Sequence, residues 1–445
     1  MSPTSFARRR AIVMEKMHAQ GGGVAIIPTA PEVMRNADAD YPYRHDSYFY
    51  YLTGFPEPEA TLVLIAGAQN QSILFCRDKN EEREIWDGYR YGPAGAKDTF
   101  GLDACFSIDQ IDTELPKLMA NSNALFYALG SQAQLDENIQ RWLNAVRAQV
   151  RAGVSAPNAA YDIRAILNEM RLIKDDVEIA TMQRAADIAA DAHARAMRCA
   201  KPGLREYHLE AELLHEFRRN GSQFPAYGSI VAAGSNACVL HYRAGDAELR
   251  DGDLVLIDAG CELDSYASDI TRTFPVNGKF SGPQKALYEI VLEAQRAAIL
   301  ATAPGKRFID GHEAAVQVLA QGMLDTGLLN KDKVGTLDDI IVNQHYRQFY
   351  MHRTGHWLGM DVHDVGDYRD PAVSATEKPS RSLVPGMVLT IEPGIYVRPA
   401  ENVPEAFWNI GIRIEDDALV TADGCRLLTH KAPKSIDDIE ALMRD

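Results

Sequence analysis

Residues 253–269 read DLVLIDAGCELDSYASD: four apolar residues run straight into Asp258, and a second aspartate, Asp269, follows eleven positions later. That spacing suits two short strands joined by a tight turn, which would set the two carboxylates side by side. A carboxylate at the end of an apolar strand is costly to desolvate, so it calls for a partner charge or a metal. A surface-turn aspartate followed by a capping aspartate fits the same letters. The stretch therefore predicts a strand pair and leaves its use open.

The remaining chain narrows that use. A length of 445 residues favours two domains, and 46% hydrophobic with 24% charged residues is an ordinary globular composition that can bury a large core. The net charge of −16 repels phosphate backbones, so no nucleic-acid partner is expected. Six scattered cysteines form no Cys-x-x-Cys pair, which suits reduced thiols and excludes zinc ribbons and disulfide scaffolds. After Arg8, Arg9 and Arg10 the apolar run AIVM ends at Glu15, too short for a secretory signal, and no run approaches the roughly 18 apolar residues of a membrane span. A cytoplasmic protein without a membrane partner is the expectation.

Along the chain, residues 5–20 read as an amphipathic helix and VAIIP after Gly21-Gly22-Gly23 as a strand. Residues 60–68 and 72–76 suggest a hairpin, 123–130 another strand and 140–150 a helix, so the first third is a small α/β unit. Periodicity lapses over RAGVSAPNAA (151–160), which predicts a linker there. Helical patterning then fills 161–199 with a break at Lys174-Asp175-Asp176, and further helices are expected over 206–219, 283–301 and 311–326. The pattern gives an α/β (α+β) chain: an N-terminal mixed-sheet domain over 1–172 and a second domain over 173–445.

The chemistry-bearing residues crowd into the second domain. In MVLTIE, Val388, Thr390 and Glu392 share a face, and Pro393-Gly394 closes the strand so that Glu392 is aimed from its end. In NIGIRIED (409–416), Ile410, Ile412 and Ile414 point one way and Gly411, Arg413 and Glu415 the other, a face too polar for core. His352, His356 and His363 fall within twelve positions. The spacing of His352 and His356 would suit zinc on a helix, but Arg353 stands where a zincin needs Glu, and Gly355 and Gly359 favour loop and strand. If Asp258, Asp269, Glu392 and Glu415 converge, two divalent cations would cancel their charge, and oxygen-rich ligation favours Mn²⁺ over Zn²⁺.

The ordered set Asp258, Asp269, His356, Glu392 and Glu415 resembles the five-ligand dinuclear site of the pita-bread metallopeptidases. HWLGMDVHDVGDY (356–368), PGMVLTIEPGIYV (385–397) and GIRIEDD (411–417) are similar to the aminopeptidase P family, and residues 35–60 and 84–93 look like its N-terminal domain. The resemblance implies a C-terminal pita-bread catalytic domain that releases the first residue from peptides with proline second, through a hydroxide bridging two divalent ions, most simply Mn²⁺. Asp258 would hold one ion, Asp269 and Glu415 both, His356 and Glu392 the other, with Glu392 as general base. His363 and His241 would stabilise the reacting carbonyl, and His352 with them would shape the proline pocket. Arg413 and Tyr227 would orient Asp258, Tyr368 would join the substrate-binding residues, and Trp86 and Asp38 would help close the cleft on short peptides. A homo-oligomer, dimer or tetramer, is also implied.

Two features depart from the resemblance: Arg353 replaces an expected small residue, and segment 369–384 is longer than expected, leaving Arg369 and Arg381 without an assigned part. A prolidase restricted to Xaa-Pro dipeptides is the alternative within the fold. Non-catalytic pita-bread binding modules and metal-free creatinase-like amidinohydrolases lack ligands that are all present here.

Overall fold

The structure, a computed structural model, describes residues 2–243, 245–370 and 377–444. The chain divides into two compact units, Met1–Asn168 and Glu169–Asp445.

The first unit is built on a six-stranded mixed sheet. Its strands are β1 (Gly23–Pro28), β2 (Thr61–Ala66), β3 (Gln71–Cys76), β4 (Ala104–Ser107), β5 (Ala124–Tyr127) and β6 (Ala159–Asp162), in the order β4-β3-β2-β1-β5-β6. Pairing is antiparallel across β1-β2-β3 and parallel at β3-β4, β1-β5 and β5-β6. Helix α1 (Pro3–His18) buries Phe6, Val13, Met14 and Met17, a stripe at helical spacing. The expected linker at 151–160 is not a linker: β6 begins at Ala159 and completes the sheet. Strand β6 is a half-exposed edge strand, so it carries no apolar run that periodicity would detect.

The first long helix of the second unit is α3 (Asp176–Cys199), numbered after α2 (Ala133–Arg147) of the first unit. Asp175 and Glu178 form a capping box at its start, which is why the helical pattern breaks at Lys174-Asp175-Asp176. It buries Ala185, Ala189, Ala192 and Ala196 and packs against α4 (Glu206–Arg219). A second pair, α5 (Gly282–Ala301) and α6 (Phe308–Asp325), also packs together.

Between these helices lie short antiparallel strands: β7 (Ile230–Ala233), β8 (Leu254–Asp258), β9 (Cys261–Leu263), β10 (Tyr266–Ala267), β11 (Thr271–Pro275), β12 (Val388–Ile391), β13 (Gly394–Val397), β14 (Ile410–Arg413), β15 (Asp416–Val420) and β16 (Cys425–Leu427). They assemble as β7-β8-β11, β12-β15-β16 and β13-β14, and β9-β10 is extended to a small three-stranded sheet by Phe224–Pro225, which pairs with β9. One core joins the buried alanines of α3 to Val255 and Ile257 of β8 and Ile412 of β14.

Two expectations for this unit need correction. Residues 253–269 do not form one strand pair: β8 pairs with β11, outside the stretch, and β9-β10 is an inner hairpin turning at Asp264 and Ser265, both at positive φ (49° and 70°). Nor is 409–416 a single strand, because the chain breaks at Ile414-Glu415 and passes from the β13-β14 pair to the β12-β15 sheet. The polar face of that segment is also buried, Arg413 being 4% and Glu415 2% exposed. Mutual charge compensation makes that burial tolerable.

Candidate metal centre

The corrected strand path brings Asp258 and Asp269 together. Asp258 ends β8 opposite Thr271, and the Ala259 amide donates to the Ile270 carbonyl at 3.0 Å, so Asp269 lies just before the paired strand β11. The approach requires glycine at 260, where a Cβ would lie 1.7 Å from the Ser268 carbonyl oxygen. Tyr227 Oη lies 2.5 Å from an oxygen of each aspartate and serves one at a time with its single proton. Arg413 donates to the other Asp258 oxygen at 2.6 Å.

His356 arrives on an irregular segment laced to β12. Its amide donates to Thr390 Oγ1 at 3.1 Å, the Thr390 amide to the His356 carbonyl at 2.9 Å, and the Glu392 amide to the Thr354 carbonyl at 2.8 Å. A Cβ on Gly355 would meet the Thr390 carbonyl at 2.1 Å. Glu415 is placed from the opposite side by two contacts with Thr271: its amide reaches the Thr271 carbonyl at 3.0 Å, and Thr271 Oγ1 donates to its carboxylate at 2.6 Å.

Donor atoms of Asp269, His356 and Glu415 lie within 4.8 Å of one another. His356 Nε2 is 3.5 Å from Asp269 and 3.7 Å from Glu392. All five expected ligands line one cavity of about 1070 Å³, together with His241, His352, His363, Tyr368, Tyr227 and Arg413. His363 stacks on His356 at 3.9 Å between centroids and 11° between planes. His352 bonds to Tyr396 Oη at 2.8 Å, and Arg413 donates to that same phenol at 3.0 Å. Tyr368 Oη accepts from the Trp357 amide at 3.2 Å. Trp86, 79% exposed on Glu81–Asp87, and Asp38, exposed between two short strands, belong to the first unit. Of segment 369–384, residues 371–376 lie outside the described residues; Arg381 pairs with Glu169 at 2.7 Å.

The electrostatics ask for cations. Burial pushes the Asp269 carboxyl up, Glu392 to about 7 and Glu415 well above the usual range, each further raised by neighbouring carboxylates. Burial alone would lower His356, but Asp269 and Glu392 outweigh it and draw the imidazole up to about 9. Burial also lowers His352 and His363 to about 4. Four carboxylates with one imidazole, gathered on one cavity, form a donor set that fits divalent metal ions.

Several participating residues escape a reading of the sequence. Thr271 also receives Arg413 Nε at 3.1 Å, so one hydroxyl orients two site residues. Tyr396 joins His352 to Arg413 across the strand pair β13-β14. Buried Asp417 accepts from the Asp269 amide at 3.1 Å. The second aspartate of RIEDD was the one available signal for it; Thr271 and Tyr396 are ordinary strand residues whose parts emerge only from pairing. Asp364, buried beside His363, accepts from Arg171 at 2.6 Å and Lys174 at 3.0 Å, anchoring the histidine segment.

The sequence model of metallopeptidase family M24 matches residues 180–422, and that of the aminopeptidase P N-terminal domain matches residues 6–127. The Xaa-Pro aminopeptidase of Escherichia coli K12 is 44% identical over 445 residues, covering 100% of this chain and 98% of that protein. Among solved structures, Pseudomonas aeruginosa aminopeptidase PepP matches with a TM-score of 0.95 at 50% identity, covering 100% and 98% of the two chains. Zinc-substituted E. coli aminopeptidase P in complex with product matches with a TM-score of 0.94 at 44% identity and the same coverage. With a buried oxygen-rich donor set on this fold and likeness along its whole length, the chain belongs to metallopeptidase family M24 and, through its N-terminal domain, to the aminopeptidase P group within it.

Proposed function

We propose that this protein is a metal-dependent Xaa-Pro aminopeptidase, with residues 173–445 as the catalytic part and residues 1–172 as an accessory N-terminal part. The observation that carries this reading is the convergence of Asp258, Asp269, His356, Glu392 and Glu415 on one cavity. In our assignment Asp258 would hold one divalent ion, His356 and Glu392 a second, and Asp269 and Glu415 would be shared by the two. Two Mn²⁺ ions there would polarise the scissile carbonyl and lower the pKa of water.

The chain's own groups do the rest. Glu392, aimed from the end of β12, takes the proton of the attacking water on a carboxylate oxygen. His363 and His241 donate toward the carbonyl oxygen as charge develops on it. His352, fixed by Tyr396, forms part of the wall that receives the proline ring. An Xaa-Pro bond has no N–H for an ordinary peptidase to grip, so a ring-shaped pocket is what selects it. Arg413 and Tyr227 keep Asp258 in place. Trp86, Asp38 and Tyr368 are assigned to holding short peptides. The working form is a cytoplasmic homo-oligomer, dimer or tetramer.

The test is hydrolysis of Xaa-Pro and Xaa-Pro-Xaa peptides side by side with metal analysis. We expect release of the first residue from both; turnover confined to dipeptides would make the enzyme a prolidase, and turnover of neither would overturn the reading. Of Mn²⁺, Zn²⁺ and Mg²⁺ returned to metal-stripped protein, Mn²⁺ should restore the most turnover. His363→Ala should lower kcat by about 10²-fold if the ring donates to the oxyanion, and a wild-type rate would remove it from that role.

A further inference from the structure

The protein carries a net charge of −16, yet the rim of its cavity is cationic. Among the described residues, the exposed charged side chains lining the cavity are Arg243, Arg307, Arg353 and Arg369, set against one exposed acid, Glu313. The remaining carboxylates of the cavity are drawn into the metal centre. Arg307 is already engaged by Asp370 at 3.4 Å and the Ser380 carbonyl at 2.6 Å, and Arg369 by the Lys378 carbonyl at 3.1 Å. Arg243 makes only a 3.5 Å contact with the Gly228 carbonyl. Among the described residues Arg353 has no hydrogen-bond acceptor for its guanidinium, and neither Arg243 nor Arg353 has a carboxylate partner.

Arg353 is also the residue that departs from the resemblance, and its backbone is held beside the chemistry. Its carbonyl lies 2.7 Å from His352 Nδ1, which is 3.8 Å from Glu392, and the next residue, Thr354, accepts the Glu392 amide. Arg353 and His312 line the same cavity, where burial first, then this guanidinium, brings the His312 imidazole down to about 4. Uncompensated like charges at a partly desolvated rim repel one another and attract anions. The peptide's free amine is a cation and gains nothing there; its carboxylate does. In a tripeptide that carboxylate lies two residues beyond the scissile bond, roughly 7 Å of extended chain.

We propose that Arg353, assisted by Arg243, reads a carboxylate on the far side of the substrate proline and so selects short peptides whose negative end falls at the rim. This rests on the Xaa-Pro aminopeptidase reading. The test uses the metal-loaded full chain with three peptides: Ala-Pro-Ala as free acid, Ala-Pro-Ala amide and Ala-Pro-Asp amide. The free acid should exceed its amide in kcat/KM by about tenfold, a ratio that shrinks with added NaCl. Arg353→Gln should bring the ratio close to one, Arg353→Lys should keep part of it, and Arg353→Glu should invert it. Because the readout is a ratio within each variant, a general loss of activity does not mimic the effect. Recovery with Ala-Pro-Asp amide would show that a side-chain carboxylate is read as well, and failure to recover that the α-carboxylate alone is read; both support the proposal. A wild-type ratio near one, or a ratio unchanged in Arg353→Gln and in the Arg243→Gln/Arg353→Gln double variant, would overturn it. Turnover without charge preference defeats this proposal alone, whereas no turnover of any of the three peptides defeats the peptidase reading with it.

Discussion

Glu392→Gln is expected to lower kcat by about 10³-fold or more while the protein stays folded. Glu392 lies just past β12, its amide bound to the Thr354 carbonyl at 2.8 Å and its carboxylate 3.3 Å from Thr390 Oγ1. An amide of the same shape can keep the Thr390 contact. It cannot take a proton from water at neutral pH, and it offers a metal a neutral oxygen in place of a charged one. The position therefore combines two losses that a surface carboxylate would not suffer. Burial raises the Glu392 carboxyl to about 7 against the pull of His356 and Arg413, so a neutral amide, spared the desolvation of a charge, should not destabilise the fold strongly. The measurements are kcat on an Xaa-Pro-Xaa peptide, metal content and the denaturation midpoint. Wild-type turnover in a variant of wild-type stability would remove Glu392 from the chemistry.

Apolar runs ending in an acid marked Asp258 and Glu392 because a strand terminus presents its last side chain to a cleft. Alternation marked Arg413 and Glu415 because period-two patterning assigns faces without any knowledge of partners. The same alternation concealed that the strand changes sheets at Ile414-Glu415, since residues on either side of such a break keep their facing. Pairing itself was not legible. That β8 takes β11 as neighbour, bringing Thr271 to Glu415 and Arg413, is a choice among strands of similar composition. Strand β6 was lost for a related reason: at a sheet edge, with both faces half-exposed, it has no hydrophobic signal to give.

Asp364→Asn is expected to cost about 3–5 kcal/mol of stability at neutral pH, although Asp364 makes no contact with the proposed substrate. Its side chain and those of Arg171 and Lys174 are each 1% exposed, with ion-pair distances of 2.6 Å and 3.0 Å. Removing the charge takes from Lys174 its carboxylate and from Arg171 one of its carboxylates, in a place where water cannot substitute. Burial alone would raise the Asp364 carboxyl, but Lys174 and Arg171 outweigh it and hold it below the usual carboxylate range. A carboxyl depressed in the folded state adds stability that is complete above its unfolded pKa of about 3.9 and is lost as pH falls through the folded value. The wild type should thus lose this contribution only in strong acid, and the difference between wild type and variant should narrow there. Activity should fall as well, because Asp364 accepts from Lys174 and Arg171 at the foot of the segment that carries His356 and His363. A second change, Lys174→Met in the Asp364→Asn background, should recover part of the stability by removing the stranded cation. Denaturation midpoints across pH for the wild type, the single and the double variant decide the matter: a single variant as stable as the wild type at pH 7, or a double variant no better than the single, would show that the network does not hold the segment in this way.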